Sequence, residues 1–279
     1  PNARTGMKRV CARSGLTIPG TGLQLKAATI RGVESNGMLC SMREMGLSDE
    51  HEGIIDLPAD APVGKPFAEL LGLDDPVIEI KLTPNRQDCL GVRGIARDLA
   101  AAGLGSLKPL DTTPVPGRYA SPLGVRLDFA ADKADACPLF IGRYIRGVKN
   151  GPSPQWLQDR LRAIGLRPIS ALVDITNLVT FDLDRPLHVF DADTVAGGIH
   201  ARLARPGETL LALDGREYRL GGDVCAICDD DGVLGLGGVM GGEPSGVTAE
   251  TVNVFIESAL FDPVRTAATG RRLGIQSDA

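Results

Sequence analysis

Hydrophobic and polar residues change rhythm three times along the chain. From Pro1 to about Leu71, short apolar runs such as Met7 to Ala12, Leu23 to Ile30 and Gly37 to Ser41 are broken by Pro19-Gly20-Thr21-Gly22 and Ser35-Asn36-Gly37. Runs this short between Gly/Pro turns predict the strands of a small β-barrel of the OB type, lacking its first strands. Next, Val77 to Leu82 predicts a strand. It leads through Pro84-Asn85-Arg86 into a helix on which Cys89, Val92, Ile95, Ala96 and Leu99 recur at helical spacing, with a stop at Gly103. Lys108 to Pro122, with Pro109, Pro114, Pro116 and Gly117, reads as the linker. The expected division is residues 1–71 for the barrel, 72–121 for a small α/β segment with the Pro-rich linker, and 122–279 for a third domain.

That third region mixes strands and helices. Pro138 to Arg146 predicts a strand. Ser153-Pro154 predicts an N-cap with proline at the first helical position, and Trp156, Leu157, Leu161 and Ile164 mark one face of a helix ended by Gly165. Ser170 caps a second predicted helix carrying Leu172, Val173, Ile175, Leu178 and Val179. Strands follow over Gly198 to Ala204, Thr209 to Leu213 and Val224 to Ile227. Val252, Val254 and Ile256 alternate with Asn253, Phe255 and Glu257, so Glu257 shares a side with Phe255. Asp262-Pro263 opens a last helix by cap chemistry. Helices come in pairs among clustered strands, without strict alternation. The fold class is therefore α+β and multidomain, a partial OB-type barrel followed by a mixed α+β domain.

Composition narrows the class. With 279 residues, 43% hydrophobic and 23% charged, the chain is that of a globular protein too long for one ordinary core. No run approaches the roughly 20 apolar residues of a membrane span, and no signal segment opens the sequence, which reads as cytoplasmic. Pro1 in place of Met, and no clear stop after Ala279, are expected of an internal piece whose first ten or so residues fray. The net charge of −5 argues against a strongly basic surface that holds nucleic acid by phosphate contacts alone, but does not exclude RNA, and Lys8 to Arg43 is locally basic. Of six cysteines only Cys225 and Cys228 form a CxxC pair, with no second pair and no histidine at partner spacing. Val224 to Cys228 therefore reads as a buried strand entering the Asp229 to Gly232 turn, not as a metal site.

Few residues are placed for chemistry. Thr176 and Asn177 follow one another on an otherwise apolar helix and can border one cleft, or bond to nearby backbone. His188 stands among apolar residues after Pro186, with no nucleophile triad near it in sequence. Glu257, on the Phe-bearing side of its strand, needs a partner if buried. The run Gly235 to Gly242 suits close approach of a ligand to bare backbone, but lacks the lysine and hydroxyl of a P-loop.

In this order the segments Ile30 to Ser41, Leu82 to Gly91, Val173 to Asn177, Arg185 to His188, Gly238 to Gly242 and Phe261 to Pro263 resemble the bacterial phenylalanyl-tRNA synthetase β subunit, over essentially the whole chain. The resemblance implies a tRNA-binding OB module, a small domain beside it and a B3/B4 editing domain that hydrolyses Tyr-tRNA(Phe). It further implies that His188 and Glu257 recognise the tyrosine hydroxyl, with an ionised Glu257 accepting. Thr176, Asn177, Pro186, Gly241 and Gly242 would line the same pocket, and Lys8, Lys26 and Arg31 are the tRNA-binding candidates. An α subunit in an α2β2 heterotetramer, tRNA(Phe), and ATP and Mg2+ for the complete enzyme are also implied, with no cofactor or metal held by these residues. Two positions depart from the family pattern. Leu178 stands where an aromatic is usual, and Asp184 where glycine is common. The competing reading is a non-catalytic RNA-binding or assembly module.

Overall fold

Short strands need partners to satisfy their backbone groups, and in the first unit they find them two at a time. The computed structural model describes residues 2–277, and the chain divides into two units, Pro1–Ile78 and Glu79–Ala279. In the first, β1 (Lys8–Arg9), β2 (Cys11–Arg13), β3 (Ala28–Ile30), β4 (Val33–Ser35), β5 (Gly37–Leu39) and β6 (Asp56–Leu57) pair antiparallel as β1 with β6, β2 with β5 and β3 with β4. Val10, Ala12, Ile18 and Cys40 form the buried centre. The ladders do not close into a barrel, consistent with a partial one.

The β3–β4 hairpin turns through Arg31 and Gly32, at φ 52° and 83°. Positive φ at both central positions is the turn that matches the right-handed twist of the flanking strands. The first residues do not hang free as expected of a frayed end. The Asn2 side chain donates to the Ile54 carbonyl at 2.8 Å and accepts from the Ile54 amide at 3.0 Å. A short helix, α1 (Phe67–Leu71), ends on left-handed Gly72.

The strand predicted over Val77 to Leu82 does not form. Those residues have no ladder partner among the described residues, and Val77 and Ile78 are exposed. Apolar β-branched side chains favour a strand, but without a neighbour the backbone is left to water. The helix after it does form, as α2 (Val92–Ala101), with Gly103 left-handed just beyond it.

The second unit holds β7 (Gly124–Asp128), β8 (Leu139–Arg146), α3 (Gln155–Ala163), α4 (Ala171–Leu183), β9 (His188–Asp191) and β10 (Gly198–Leu203). The hairpin β11 (Thr209–Leu211) and β12 (Glu217–Arg219) follows, then β13 (Cys225–Cys228), β14 (Val233–Leu236), β15 (Met240–Gly241), β16 (Asn253–Leu260) and α5 (Pro263–Leu273). Two sheets organise it. One runs β15-β14-β13-β10-β7, antiparallel except for parallel β10–β7; the other is β8-β16-β9 with β16 in the centre.

β13 explains the CxxC segment. All four of its residues are buried, because alternate side chains enter two different cores. Cys225 and Ile227 join Phe190, Ile199, Leu234 and Phe255, whereas Ala226 and Cys228 join Leu210, Leu220 and Leu236. A strand covered on both faces reads as a continuous apolar run.

Helix caps follow the sequence only in part. Asp262 caps α5 as expected, its carboxylate accepting from the Arg265 amide at 2.7 Å with Pro263 in the first turn. Ser153 does not cap α3. The helix begins at Gln155, and the Ser153 hydroxyl donates instead to the carboxylate of Asp174, which is fully buried. The other Asp174 oxygen accepts from the Ile169 amide at 2.9 Å. One carboxylate thus ties the entrance of α3 and the loop before α4 to the first turn of α4. Of the predicted α3 face, Leu157 and Leu161 are buried but Trp156 and Ile164 are about half exposed, so the buried stripe is narrower. Asp184 ends α4 at φ 54°. Left-handed backbone favours glycine, so the β-carbon of Asp184 sits there at a conformational cost.

Asp174→Ala leaves a buried hydroxyl and a backbone amide without an acceptor. It is expected to lower stability by about 2–4 kcal/mol, read from urea unfolding. A loss below about 1 kcal/mol would mean the carboxylate is not the tie it resembles.

Candidate active site

The centre of the second sheet brings two sequence candidates together. β9 and β16 pair antiparallel with His188 directly opposite Glu257 and Phe190 opposite Phe255. Directly opposed residues project to the same side of a sheet with β-carbons about 5 Å apart. On the other flank of β16, Gly142 of β8 opposes Glu257 and Tyr144 opposes Phe255. This side faces the core shared with the five-stranded sheet, in which Phe190 and Phe255 are each only 1% exposed.

Glycines shape the surroundings. A β-carbon on Gly142 would lie 1.9 Å from the Phe255 ring, so the ring occupies the space that any other residue there would fill. A β-carbon on Gly241 would lie 2.3 Å from His188 Cε1 and 2.8 Å from Nε2. Bare backbone of β15 therefore rests against the imidazole, and Phe190 packs edge-on from the other direction with ring centroids 4.4 Å apart. Gly242 fits between the Leu234 carbonyl and Leu210. These two glycines, expected from the sequence to face a ligand, pack against the protein's own side chains and backbone. Sequence reasoning missed Gly142, though a glycine inside an apolar strand is itself the sign of a close approach.

Electrostatics set both side chains neutral. Glu257 is 7% exposed, and no charged group offsets the burial of its carboxyl. Burial alone pushes it up to about 8. The ionised acceptor expected from the sequence is therefore corrected: with no counter-ion, the protonated acid is the favoured form at neutral pH. His188 Nε2 is fully covered and unpartnered, and burial pushes the imidazole down to about 4. Two uncharged polar groups thus sit side by side in an apolar enclosure.

The remaining candidates are less committed to this spot. Thr176 and Asn177 are half-buried on α4, which packs against β9. The Thr176 hydroxyl donates to the Val173 carbonyl at 2.8 Å, the local alternative foreseen from sequence. Pro186 is exposed, two residues before His188, and Arg185 beside it donates to the Ala259 carbonyl at 3.2 Å. In the first unit, the Lys8 ammonium donates to the Ala61 carbonyl, whereas Lys26 and Arg31 are exposed. Among the described residues, Asp88, Cys89 and Asp98 are the one group close enough to share a metal ion. Arg86 and Arg97 already ion-pair with its carboxylates, which makes it a salt-bridge network.

Comparison with known proteins places these features in context. Residues 136–279 match the family described as the B3/4 domain, and residues 2–66 the putative tRNA binding domain. The chain is 62% identical over 280 residues to the phenylalanine–tRNA ligase beta subunit of Rhodospirillum rubrum, and 61% identical over 279 residues to that of Cereibacter sphaeroides. It is also 60% identical to that of Paramagnetospirillum magneticum. All of this chain is covered in each case, and it spans about a third of each relative's length, 35%, 34% and 35% in turn.

The two pKa shifts tie stability to pH with opposite signs. Glu257 rises on folding from 4.5 to about 8, so its contribution is whole below 4.5 and is lost as pH climbs to about 8. His188 falls from 6.5 to about 4, so its contribution is present above 6.5 and lost as pH drops to about 4. Between 6.5 and 8 only Glu257 is changing, and stability is expected to fall by up to about 1.4 kcal/mol per pH unit. Denaturant unfolding of the native sequence and of Glu257→Gln across that window checks this. The native curve should decline relative to the variant; parallel curves would contradict a protonated carboxyl.

Proposed function

Because the chain belongs to the phenylalanyl-tRNA synthetase β-subunit family and carries its tRNA-binding and B3/4 domains, we propose that it supplies the tRNA-binding and proofreading parts of such an enzyme. Its own chemistry is hydrolysis of the ester in Tyr-tRNA(Phe). The observation that carries this reading is the His188–Glu257 pair: two directly opposed, buried polar side chains, with His188 Nε2 left without a hydrogen-bond partner.

Specificity energetics say why such a pair is wanted. Tyrosine is phenylalanine plus a hydroxyl, and an apolar pocket rejects such an analogue by only about 100-fold. A site with buried polar groups inverts the test. The tyrosine hydroxyl satisfies them and phenylalanine leaves them unpaired, a difference on the order of 10,000-fold. Thr176, Asn177 and Pro186 extend the pocket in this reading, with Gly241 and Gly242 admitting the ligand close to backbone. No side chain here serves as an evident base. Water is therefore positioned by backbone groups, helped by the ribose hydroxyl of the substrate.

Aminoacylation with ATP and Mg2+, and assembly with an α subunit as α2β2 in the cytoplasm, belong in this reading to the complete enzyme. The Asp88, Cys89 and Asp98 group does not suit its metal, since guanidinium groups already neutralise the carboxylates. RNA contact falls to the first unit, where Arg31 at the hairpin tip and Lys26 present free cations to phosphate, more readily than Lys8.

Deacylation of Tyr-tRNA(Phe) by the assembled enzyme tests the pocket. His188→Ala and Glu257→Ala are each expected to slow it at least about 100-fold while aminoacylation persists. Unaltered hydrolysis in both would remove the assignment, and tRNA binding without turnover in the unmodified enzyme would favour the non-catalytic module. For the barrel, Lys26→Ala with Arg31→Ala should weaken tRNA binding and reduce the slope of log K against log salt by about 1 per cation removed. An unchanged slope would put the RNA elsewhere.

A further inference from the structure

The β9–β16 ladder stops at the residue on which the site depends. Val254 pairs with Asp191, Phe255 with Phe190, Ile256 with Val189 and Glu257 with His188, and the pairing goes no further. The far end of the ladder fixes which way its backbone groups point. There the Ala192 amide donates to the Asn253 carbonyl at 3.0 Å, whereas the Asp191 amide turns away to the Ser245 carbonyl at 2.9 Å. Backbone groups point to alternate sides along a strand, so Asn253, Phe255, Glu257 and Ala259 all present theirs to β9. Their partners in this register are Ala192, Phe190, His188 and, one step beyond the ladder, Pro186. Proline has no N–H, so the Ala259 carbonyl faces a position that cannot donate to it. The Arg185 side chain fills that place. Its Nη1 donates to the Ala259 carbonyl at 3.2 Å, the one hydrogen bond of that side chain among the described residues. The end of α4 delivers Arg185 to this spot. Asp184 leaves the helix in the left-handed conformation, and the chain enters β9 at His188. A β-carbon on Gly91 would lie 2.5 Å from the Asp184 amide nitrogen, so close packing holds the helix end of this turn. Arg185 holds the strand end.

We propose that Arg185 is a positioning residue for the site: its guanidinium replaces the hydrogen bond that Pro186 cannot make, and so holds the start of β9, and His188 with it, against β16. The inference rests on the editing function proposed for this pocket and adds to it a group that does not touch the ligand. His188 is the first residue of β9. A ladder opens first at its end, where the terminal residue is held from one side only. Without Arg185 the Ala259 carbonyl has no donor, and the outermost link becomes the His188–Glu257 pair itself. The imidazole then moves with a fraying strand end. A site that works by fixed geometry loses rate steeply with small displacements. The contact needs a single point donor and not the two-pronged fork of a guanidinium, so lysine can stand in for it. A backbone N–H at position 186 can do so as well, which ties the need for Arg185 to the presence of Pro186.

Backbone hydrogen exchange of residues 187–190 in the assembled enzyme, followed by mass spectrometry without substrate, reads the strand end directly. Arg185→Ala is expected to speed it at least about fivefold, the equivalent of one lost hydrogen bond. Arg185→Met keeps the packed stem without the donor and should behave as alanine does, whereas Arg185→Lys should return exchange to within about twofold of native. Pro186→Ala restores the missing N–H. Added to Arg185→Ala, it should cancel most of the acceleration, a non-additivity that loss of an unrelated contact does not produce. On the reaction, Arg185→Ala and Arg185→Met should lower kcat for deacylation of Tyr-tRNA(Phe) by about 10- to 100-fold with KM changed less than about threefold, and Arg185→Lys should recover most of it. Native exchange in Arg185→Ala or Arg185→Met overturns the proposal. So does acceleration that neither Arg185→Lys nor Pro186→Ala relieves, and so does fast exchange with native kcat. Each of these leaves the editing assignment standing, since that assignment falls only if His188→Ala and Glu257→Ala hydrolyse normally.

Discussion

The antiparallel pairing of β16 with β8 on one side and β9 on the other is the constraint on which the second unit depends. β16 pairs with both outer strands of the three-stranded sheet, and its register puts Glu257 beside His188 and across from Gly142. Side chains alternate along a strand, so a one-residue slip would send Phe255 and Glu257 to the opposite face together. The same pairing that buries the aromatic core therefore also assembles the polar pair, and neither can be moved without the other.

That coupling explains why two costly groups are tolerated in an apolar layer. Phe190 and Phe255 together remove two large aromatic surfaces from water, each worth about 1.5–3 kcal/mol. Against such gains the fold can hold two buried polar groups, provided both are neutral. Burial without a counter-ion makes them so, raising Glu257 and lowering His188 until neither carries charge near pH 7. His188 Nε2 stays without a hydrogen bond in this arrangement, so a group that supplied one would be favoured there.

The glycines and the buried aspartate are the quieter supports. Gly142 and Gly241 exist as glycines because the Phe255 ring and the His188 imidazole occupy the places of their β-carbons. Asp174 is buried for another reason, holding α3, the following loop and α4 together through Ser153 and the Ile169 amide. The Ser153-Pro154 pair had every local feature of a helix start, but a buried acceptor within reach outcompeted the helix for the serine hydroxyl.

Local pattern was enough to reveal the α+β class, the positions of most helices and strands of the second unit, the Asp262 cap and the buried character of the Cys225–Cys228 strand. These depend on neighbours in sequence and on alternation, and both are written in the chain. The motif resemblance also nominated His188 and Glu257 together, and the β9–β16 register sets them opposite one another. Tertiary structure decided what no local pattern encodes. It left Val77 to Leu82 without a strand partner, because pairing requires a distant segment to arrive. It gave Ser153 to Asp174, and the Thr176 hydroxyl to its own helix backbone. Above all it decided the charge of Glu257, because the protonation of a carboxyl is set by the water and counter-ions that surround it, and sequence does not specify which groups those will be.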